Sequence, residues 1–338
     1  MRFGFPGRHP CRKKIFVIGA TGYLGGVLAR HFVEEGYEVT GLARREEAGA
    51  KLAAAGITPV SGSLDDGMAT VLAAASDADA VVYAAQVELD REPEVLERLC
   101  QALAGTGKTL IFTSGSGVFM KRTAGEWTSE AMAEDDPFEP VAFLSERVRT
   151  ERIVRAAAET GVRAMVVRPP AIWGPGDNGQ VARVYRTVAT AGAACYVGSG
   201  LAAYSCVHHT DLARLYALAI ERGVPGALYH AAGGEFAWRW IAEAVARDLG
   251  VPARSLSMDE AQEMFGPLGA MIYSACSRSL DLRARTELGW KPVHGDMLSQ
   301  VGEPRLRALA RLAPEGPDAA PSGHAFPGQQ AVSARHRA

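Results

Sequence analysis

The stretch KIFVIGATGYLGG, residues 14–26, joins an apolar run to a glycine-rich turn. Residues 14–20 are typical of a buried strand, and the residues after them are typical of a helix. Gly19 permits a tight turn, Gly22 lets a ligand approach the backbone, and Gly25 lets the helix pack against the strand. The free N–H groups at the start of the helix favour an anion. In this strand–turn–helix context the spacing indicates a site for the pyrophosphate of a dinucleotide, the alternative being merely a tight turn.

The same alternation of short apolar strands and amphipathic helices continues to about residue 169. Strands that are apolar throughout and alternate with helices indicate a parallel sheet covered on both faces. The pattern predicts strands at 14–20, 37–43, 57–62, 78–85, 108–114 and 162–169, and helices at 23–35, 46–55, 65–75, 89–103 and 141–160.

The rhythm of the sequence changes after residue 169, where Gly, Pro and aromatic residues become frequent. We therefore expect a dinucleotide-binding domain at 14–169, followed by a mainly substrate-binding region at 170–311. Part of that region, at about 204–222, is expected to return to the first domain. Residues 1–13 are expected to form an N-terminal tail. Residues 312–338 lack periodicity and are expected to be a disordered tail.

The composition excludes several classes of protein. Of 338 residues, 36 are Lys or Arg and 38 are Asp or Glu, so the net charge of −2 predicts no nucleic-acid partner. The apolar runs are too short to cross a membrane, and the basic N-terminus lacks the apolar core of a signal peptide. The five scattered cysteines form no C-x-x-C pair or metal cluster, so we expect no metal site and a cytoplasmic location.

The residues after the second predicted strand bear on the choice of dinucleotide. An acid at this point would bind the ribose hydroxyls of NAD and repel a 2′-phosphate. The sequence instead has Ala43, Arg44 and Arg45. A neutral residue followed by guanidinium groups favours the 2′-phosphate of NADP, with Arg44 as its ligand. The alternative, which fits Arg45 well, is a solvated turn, and in that case NAD is the cofactor.

Seven segments together resemble the extended short-chain dehydrogenase/reductase group, or NAD-dependent epimerase/dehydratase family, over residues 14 to 305. They are GATGYLGG (19–26), AVVYAAQ (80–86), IFTSGSGVF (111–119), RPPAIWGPGDN (168–178), CVHHTDLARLYALAIERG (206–223), ALYHAAGGEFAWRWIAEAVARDLG (227–250) and TELGWKP (286–292). The resemblance implies an α/β fold: a Rossmann-type, doubly wound, seven-stranded parallel sheet with a small C-terminal α/β substrate domain. It is more specific for the fold than for the reaction.

The resemblance also implies a set of cofactor-binding residues. Members of the family often have an Asp after the third strand that contacts the adenine, and in this chain that position is Ser63. The expected cofactor-binding residues are Gly19, Thr21, Gly22, Tyr23, Leu24, Gly25, Arg44, Ser63, Leu64, Ala84, Ala85, Arg147 and Pro169.

The acid–base residues typical of the family are missing. Members that move hydride carry a Ser or Thr after the fifth strand and Tyr-x-x-x-Lys on the next helix. Glu151 matches a family glutamate four residues beyond the lysine, which places Arg147 at the lysine position and Phe143 at the tyrosine position. The family serine falls on Gly115, with Ser114 or Ser116 as its replacement.

Phenylalanine carries no proton, and arginine stays protonated, so it binds ribose or an oxyanion but is a poor base. The expected catalytic residues are Ser114, Ser116 and Arg147. The alternative for Phe143 and Arg147 is packing, together with an ion pair between Arg147 and Glu151.

The remaining polar and aromatic residues of the matched segments suggest where a substrate binds. The expected substrate-binding residues are Gln86, Phe143, Trp173, Asn178, Tyr204 and His208. Trp238 and Trp240 are expected to pack a helix, the alternative being that they line an apolar substrate pocket. Thr210 and Asp211 are expected to cap a helix.

Three hypotheses of function remain open on the sequence. The leading one is an NADP(H)-binding oxidoreductase or epimerase-like enzyme that acts on a carbonyl or hydroxyl of a small organic molecule. The others are a non-redox isomerase, cyclase or lyase on the same scaffold, and a non-catalytic NADP-binding protein. Helices 89–103 and 141–160 match those through which the family often dimerises, so we expect a homodimer.

Overall fold

The computed structural model of the protein describes residues 13–176 and 179–311. The predicted N-terminal tail up to residue 12, the predicted disordered tail 312–338 and the substrate candidate Asn178 lie outside the described residues.

Strands and helices alternate through the first half of the described chain and become shorter and more irregular after it. The strands are β1 (Lys14–Ile18), β2 (Glu38–Ala43), β3 (Thr58–Ser61), β4 (Ala80–Tyr83), β5 (Thr109–Thr113), β6 (Lys121–Arg122), β7 (Arg163–Arg168), β8 (Ala171–Trp173), β9 (Ala194–Val197), β10 (Ala203–His208), β11 (Leu228–His230), β12 (Gly234–Ala237), β13 (Ala253–Leu256) and β14 (Ala275–Cys276). The helices are α1 (Tyr23–Glu34), α2 (Glu46–Ala54), α3 (Met68–Asp77), α4 (Glu92–Leu103), α5 (Ser145–Ala156), α6 (Gln180–Ala191), α7 (His209–Arg222), α8 (Trp238–Leu249), α9 (Met258–Ser274), α10 (Leu282–Thr286) and α11 (Pro304–Leu309).

The central element is a seven-stranded parallel sheet in the order β11-β7-β5-β4-β1-β2-β3. Its middle strands are almost wholly buried, because helices cover both faces. Leu28, Phe32 and Tyr216 belong to the apolar core on one face, and Leu96 and Leu99 to the core on the other. The chain order reverses between β1 and β4, which places a binding crevice beyond the carboxyl ends of these strands. The predicted Rossmann-type fold is confirmed.

The C-terminal part contributes three small sheets, with the strand orders β12-β10-β8, β13-β9 and β14-β6. Helices α6, α8 and α9 pack on β9 around a third apolar core. Helix α7 packs on α1, and β11 adds the seventh strand to the central sheet, so the chain returns to the first sheet as far as residue 230. The sequence had indicated a return over about 204–222 only.

Two local predictions differ from the structure. The predicted helix 141–160 is divided into a 3₁₀ turn at Ala142–Leu144, helix α5, and a second 3₁₀ turn at Ala157–Thr160.

The predicted cap at Thr210 and Asp211 is wrong, because α7 already begins at His209. The buried Asp211 carboxylate instead accepts hydrogen bonds from the backbone N–H groups of Val293 and His294, at 3.0 and 2.8 Å.

Candidate functional site

A cleft of about 460 Å³ opens at the carboxyl ends of β1, β2, β4 and β5 and extends between the two parts of the chain. The structure brings most of the predicted site residues into it. They are Gly19, Thr21, Gly22, Tyr23, Leu24, Arg44, Leu64, Ala84, Ala85, Gln86, Ser114, Ser116, Arg147, Pro169 and Tyr204.

The turn between β1 and α1 forms one end of the cleft. Gly19 has a positive φ of 95°, and its Cα lies against the backbone of Ala84, so a side chain there would be both strained and blocked. A Cβ at Gly25 would overlap the carbonyl oxygen of Gly19, so Gly25 allows α1 to pack on the turn and does not itself line the cleft. Gly22 is the N-cap residue of α1, and no side chain caps this end of the helix. The first N–H groups of α1 therefore remain available to an anion.

One side of this cleft lies beside the ends of β2 and β3, where the sequence predicts the adenosine. Arg44 lines it, whereas Arg45 does not. Both side chains are exposed, and the Arg44 guanidinium makes no ion pair within the residues that the structure describes. Ser63 does not line the cleft, because its hydroxyl accepts the N–H groups of Asp65 and Asp66 at 3.2 and 3.0 Å in a local turn. Among its neighbours, Leu64 and Asp65 do line the cleft.

Arg147 reaches the middle of the cleft from α5, but it is not a free cation. Its side chain is buried and donates to Oε1 of the fully buried Glu92 at 2.9 Å, and more weakly to the carbonyl oxygen of Thr113 at 3.4 Å. Burial raises the pKa of Glu92 to about 7, with Arg147 opposing the rise. The ion pair between Arg147 and Glu151 that the sequence left open is wrong, because Glu151 pairs with Arg168.

Ser114 and Ser116 have different partners on the floor of the cleft. Ser114 Oγ donates to Glu151 Oε1 at 2.5 Å, and Arg168 holds that carboxylate through two donors. The single proton of the Ser277 hydroxyl is shared between the carbonyl oxygen and Oγ of Ser116, at 2.9 and 3.1 Å from Ser277 Oγ. The proton of Ser114 is therefore committed to Glu151, whereas Ser116 accepts a hydrogen bond and keeps its own proton for a ligand.

Phe143 does not line the cleft. Its ring is partly buried in a small apolar cluster with Val118 and Phe119, while the next residue, Leu144, faces the cleft. The 3₁₀ turn at Ala142–Leu144 rotates the side chains relative to a continuous helix, which explains the difference from the prediction. The substrate-binding role predicted for Phe143 is therefore not supported by its position.

Trp173 and His208, two other substrate candidates, lie instead at a second cavity of about 320 Å³, with His294 and Arg305. The imidazole of His208 lies 4.5 Å from the Trp173 ring and 4.2 Å from His294, centroid to centroid. Burial and the neighbouring histidines lower the pKa of His208 to about 4, so it is neutral at physiological pH. Tyr204 and His208 are four residues apart and share one face of β10, but Tyr204 lies at the main cleft whereas His208, at the other end of the strand, lies at the second cavity.

Tyr204 contributes a wall of the cleft rather than an acid. Its side chain is almost fully buried, and its hydroxyl contacts the Met120 sulfur at 3.7 Å. Burial raises the pKa of this phenol, which makes it a poorer proton donor.

Two groups of site residues were not predicted from the sequence. One is Glu92, whose place on the buried face of α4, in register with Leu96 and Leu99, could have indicated a buried acid in need of a partner. The other is a set that forms the far side of the cleft. It consists of Gln180, Arg183, Phe236, Trp238 and Ile272.

Comparison with known proteins agrees with this geometry. The family model of the NAD dependent epimerase/dehydratase family matches residues 15–232. The chain belongs to this family. An uncharacterized protein of Schizosaccharomyces pombe is 33% identical over 298 residues, covering 85% of this chain and 98% of its own.

Other relatives have named activities or known structures. The sterol-4-alpha-carboxylate 3-dehydrogenase (decarboxylating) of Dictyostelium discoideum is 28% identical over 66% of this chain and 72% of its own. The solved structure of dTDP-glucose 4,6-dehydratase from Bacillus anthracis in complex with NAD has a TM-score of 0.68 at 15% identity, covering 88% of this chain and 96% of its own. That level of identity supports the fold alone. The family and these relatives indicate an enzyme of the NAD-dependent oxidoreductase or epimerase type.

Two further findings concern only the described ranges. None of their helices has the length and apolar character needed to span a bilayer. Residues 13–176 and 179–311 contain no group of three His, Cys, Asp or Glu side chains arranged to hold a metal ion.

Proposed function

We propose that this protein is an NADP(H)-dependent oxidoreductase that acts on a carbonyl or hydroxyl group of a small organic molecule without an acid–base tyrosine. The observation that carries the proposal is the convergence on one cleft of the uncapped α1 N-terminus, Arg44, Arg147 and Ser116. A dehydrogenase among the relatives supports a redox reaction.

The residues present fit a dinucleotide. A side chain at Gly19 or Gly25 would collide with neighbouring backbone, so glycine at both positions lets the turn between β1 and α1 pack closely. The N-terminus of α1 offers free N–H groups to a pyrophosphate. Arg44 offers an unneutralised guanidinium next to the neutral Ala43, where an acid would repel a 2′-phosphate. NADP therefore fits better than NAD.

The nicotinamide, when bound, supplies hydride transfer at its C4 position. The chain itself orients the substrate and balances charge. Ser116 has a free proton to donate to the substrate oxygen, and Ser277 holds its Oγ in place. Arg147, fixed by Glu92, presents donors toward the ribose or the same oxygen. Ser114 accepts hydrogen bonds only, because Glu151 takes its proton.

We further propose a cytoplasmic location. The four cysteines of the described residues, Cys100, Cys195, Cys206 and Cys276, are buried free thiols, which fits a reducing compartment.

The experiment that tests the proposed function follows the near-ultraviolet absorbance of NADPH during turnover of a panel of small ketones. Loss of that absorbance, matched by alcohol product, supports the oxidoreductase. Conversion of a substrate with NADPH unchanged would favour a non-redox isomerase or lyase, and tight NADPH binding without conversion would favour a binding protein.

A further inference from the structure

The far side of the cleft differs in character from the end formed by the glycine turn. Its wall consists of Tyr204 from β10, Phe236 from β12, Trp238 from the start of α8 and Ile272 from α9. All four side chains are buried. A surface of this kind favours an apolar ligand body.

The aromatic wall is held rigid by stacking. Tyr204 pairs with Phe236 across neighbouring strands, and their rings stack at 5.9 Å between centroids with 21° between planes. Trp238 stacks on Tyr273 at 4.1 Å and 19°, and Tyr273 stacks on Phe265 at 4.1 Å and 5°. Phe236 and Trp238 meet edge to face at 5.5 Å and 88°, so the wall is preformed and angled, and it receives an apolar ligand at a small cost in side-chain entropy.

Two polar side chains face this wall from α6. Gln180 and Arg183 are three residues apart, so they lie on one face of the helix, and both line the cleft. Arg183 lies near enough to Tyr273 to lower the pKa of its phenol, against the larger effect of burial, and no carboxylate lies within ion-pair distance of Arg183 among the residues described. Arg147 is paired with Glu92 and Arg91 with Asp65, whereas Arg44, which has no ion pair among the described residues, lies at the opposite end of the cleft.

On the far side of the cleft, Arg183 is the guanidinium without an ion pair among the described residues. Its single positive charge matches one carboxylate and leaves the charges of a nucleoside diphosphate largely uncompensated. The aromatic wall likewise offers few donors to the hydroxyls of a sugar.

We infer that the substrate is an apolar carbonyl compound that carries a single carboxylate, with its body on the Tyr204–Phe236–Trp238 wall and its carboxylate on Arg183. This inference rests on the proposed function, and it makes Arg183 a determinant of specificity.

The test measures the binding of three probes to the full-length protein saturated with NADP⁺, using isothermal titration calorimetry. The probes are 2-naphthoate, its uncharged analogue 2-naphthamide, and UDP. We expect 2-naphthoate to bind at least about tenfold more tightly than 2-naphthamide, the scale of one charge-assisted contact. UDP is expected not to compete with 2-naphthoate.

Substitutions assign that preference to Arg183. In Arg183→Leu the affinity for 2-naphthoate should fall to that for 2-naphthamide, whereas the affinity for 2-naphthamide should stay within about twofold. Arg186→Leu, one turn further along α6 and outside the cleft lining, is the matched control and should preserve the preference. Ile272→Ala should weaken both naphthyl probes by the same factor, because it shortens the apolar wall.

Three results would overturn the inference: equal binding of both naphthyl probes to the wild type, equal weakening of both by Arg183→Leu, or displacement of 2-naphthoate by UDP. NADPH titration of each variant verifies that it is folded. A failure of NADPH itself to bind the wild type would instead contradict the proposed function, so the two failures are distinguishable.

Discussion

Two neighbouring arginines follow β2, and only one of them reaches the cleft. Arg44 lines it on the adenosine side, whereas Arg45 precedes α2 and points elsewhere. Since the two side chains are both exposed and adjacent in sequence, they form a matched pair for testing which one reads the 2′-phosphate.

We predict that NADPH binds more tightly than NADH and that Arg44→Ala reduces the difference by ~1–3 kcal/mol, the scale of a charge-assisted contact. Titration calorimetry with both dinucleotides measures this difference. Arg45→Ala is the control and should change it little. NADH binding as tightly as NADPH in the wild type would contradict the assignment.

Arg147 and Phe143 stand at the family's lysine and tyrosine positions, but only Arg147 lines the cleft. Removing a fixed cation from a reacting centre typically lowers the rate by ~10²–10³, so we predict a loss of this size for Arg147→Ala. Phe143→Tyr should leave turnover unchanged or lower, because the new hydroxyl would enter an apolar cluster. Steady-state kinetics that show full activity in Arg147→Ala and a large gain in Phe143→Tyr would refute this assignment of roles.

Glu92 provides a prediction about stability and pH. Its pKa is raised to about 7 in the folded protein, above the ordinary value of 4.5. Between these two pH values the Glu92 carboxyl is ionised in the unfolded chain but protonated in the folded protein. The contribution of Glu92 to the free energy of unfolding therefore falls as pH rises. Relative to Glu92→Gln, the wild type should lose up to about 1.4 kcal/mol per pH unit over this window and nothing further above it.

Urea unfolding of both proteins at several pH values measures that difference. The comparison isolates Glu92, because the two proteins differ only in whether this position carries a carboxyl group that can titrate. A wild-type stability that rises with pH relative to Glu92→Gln would show that the carboxyl is held ionised instead.

At the scale of elements, the junction of β1 and α1 depends on one close approach. Ala at Gly25 would place a methyl group on the carbonyl oxygen of Gly19, so α1 must shift away from the turn. We predict that Gly25→Ala lowers both the stability and the affinity for NADPH.

Gly49→Ala is the matched control for this substitution. Gly49 lies inside α2, and a Cβ there makes only an ordinary contact with Pro59 at 3.5 Å. This change should stabilise the protein by up to about 1 kcal/mol, because Gly is a poor helix former. Thermal unfolding combined with NADPH titration tests both variants, and unchanged binding by Gly25→Ala would contradict the close packing of α1 on the turn.

The first half of the fold could be predicted from the sequence because its signals are local. Strands β1, β2 and β4 are short, mostly buried runs, each followed by a helix. The GATGYLGG turn carries its constraints within eight consecutive residues. The division of 141–160 could not be predicted in the same way. It depends on a tertiary hydrogen bond from Val141 N to the carbonyl oxygen of Val118, and on Gly161 adopting a positive φ at the far end.

The candidate site shows the same contrast. The dinucleotide end depends on contiguous motifs, and most of its residues were predicted. The far wall is assembled from β10, β12, α6, α8 and α9, so no stretch of sequence carries its pattern. The partner of Arg147 was likewise out of reach, since Glu92 lies 55 residues earlier in the chain.

At the scale of the whole molecule, α4 and α5 pack side by side and present a charged outer face. Glu94, Glu97 and Arg98 lie on α4, where acids are in excess, and Glu146, Arg149 and Arg152 lie on α5, where bases are in excess. Within the chain, Arg149 already contacts Glu146 at 3.1 Å and Glu97 at 3.9 Å. In a two-fold arrangement that places α4 against α5 of a second copy, these charges are complementary. We propose that the homodimer expected from the sequence uses this face.

Because exposed ion pairs are screened by salt, we predict that this dimer dissociates as ionic strength rises. Light scattering at micromolar concentration should give about twice the mass of one chain at low salt and the mass of one chain at high salt. A monomer at low salt would reject the dimer, and a salt-insensitive dimer would place the interface elsewhere.

Hydride transfer in this cleft without a tyrosine at position 143 is the property on which the proposed function depends most. The most direct measurement incubates the protein with NADPH deuterated at nicotinamide C4 and a panel of small ketones and apolar keto acids, and follows deuterium in the alcohol product by mass spectrometry. We predict deuterium in the product with the wild type and with Phe143→Tyr, and a loss of ~10²–10³ in its rate of appearance with Arg147→Ala. Tight binding of NADPH without transfer of deuterium to any member of the panel would contradict the proposed function.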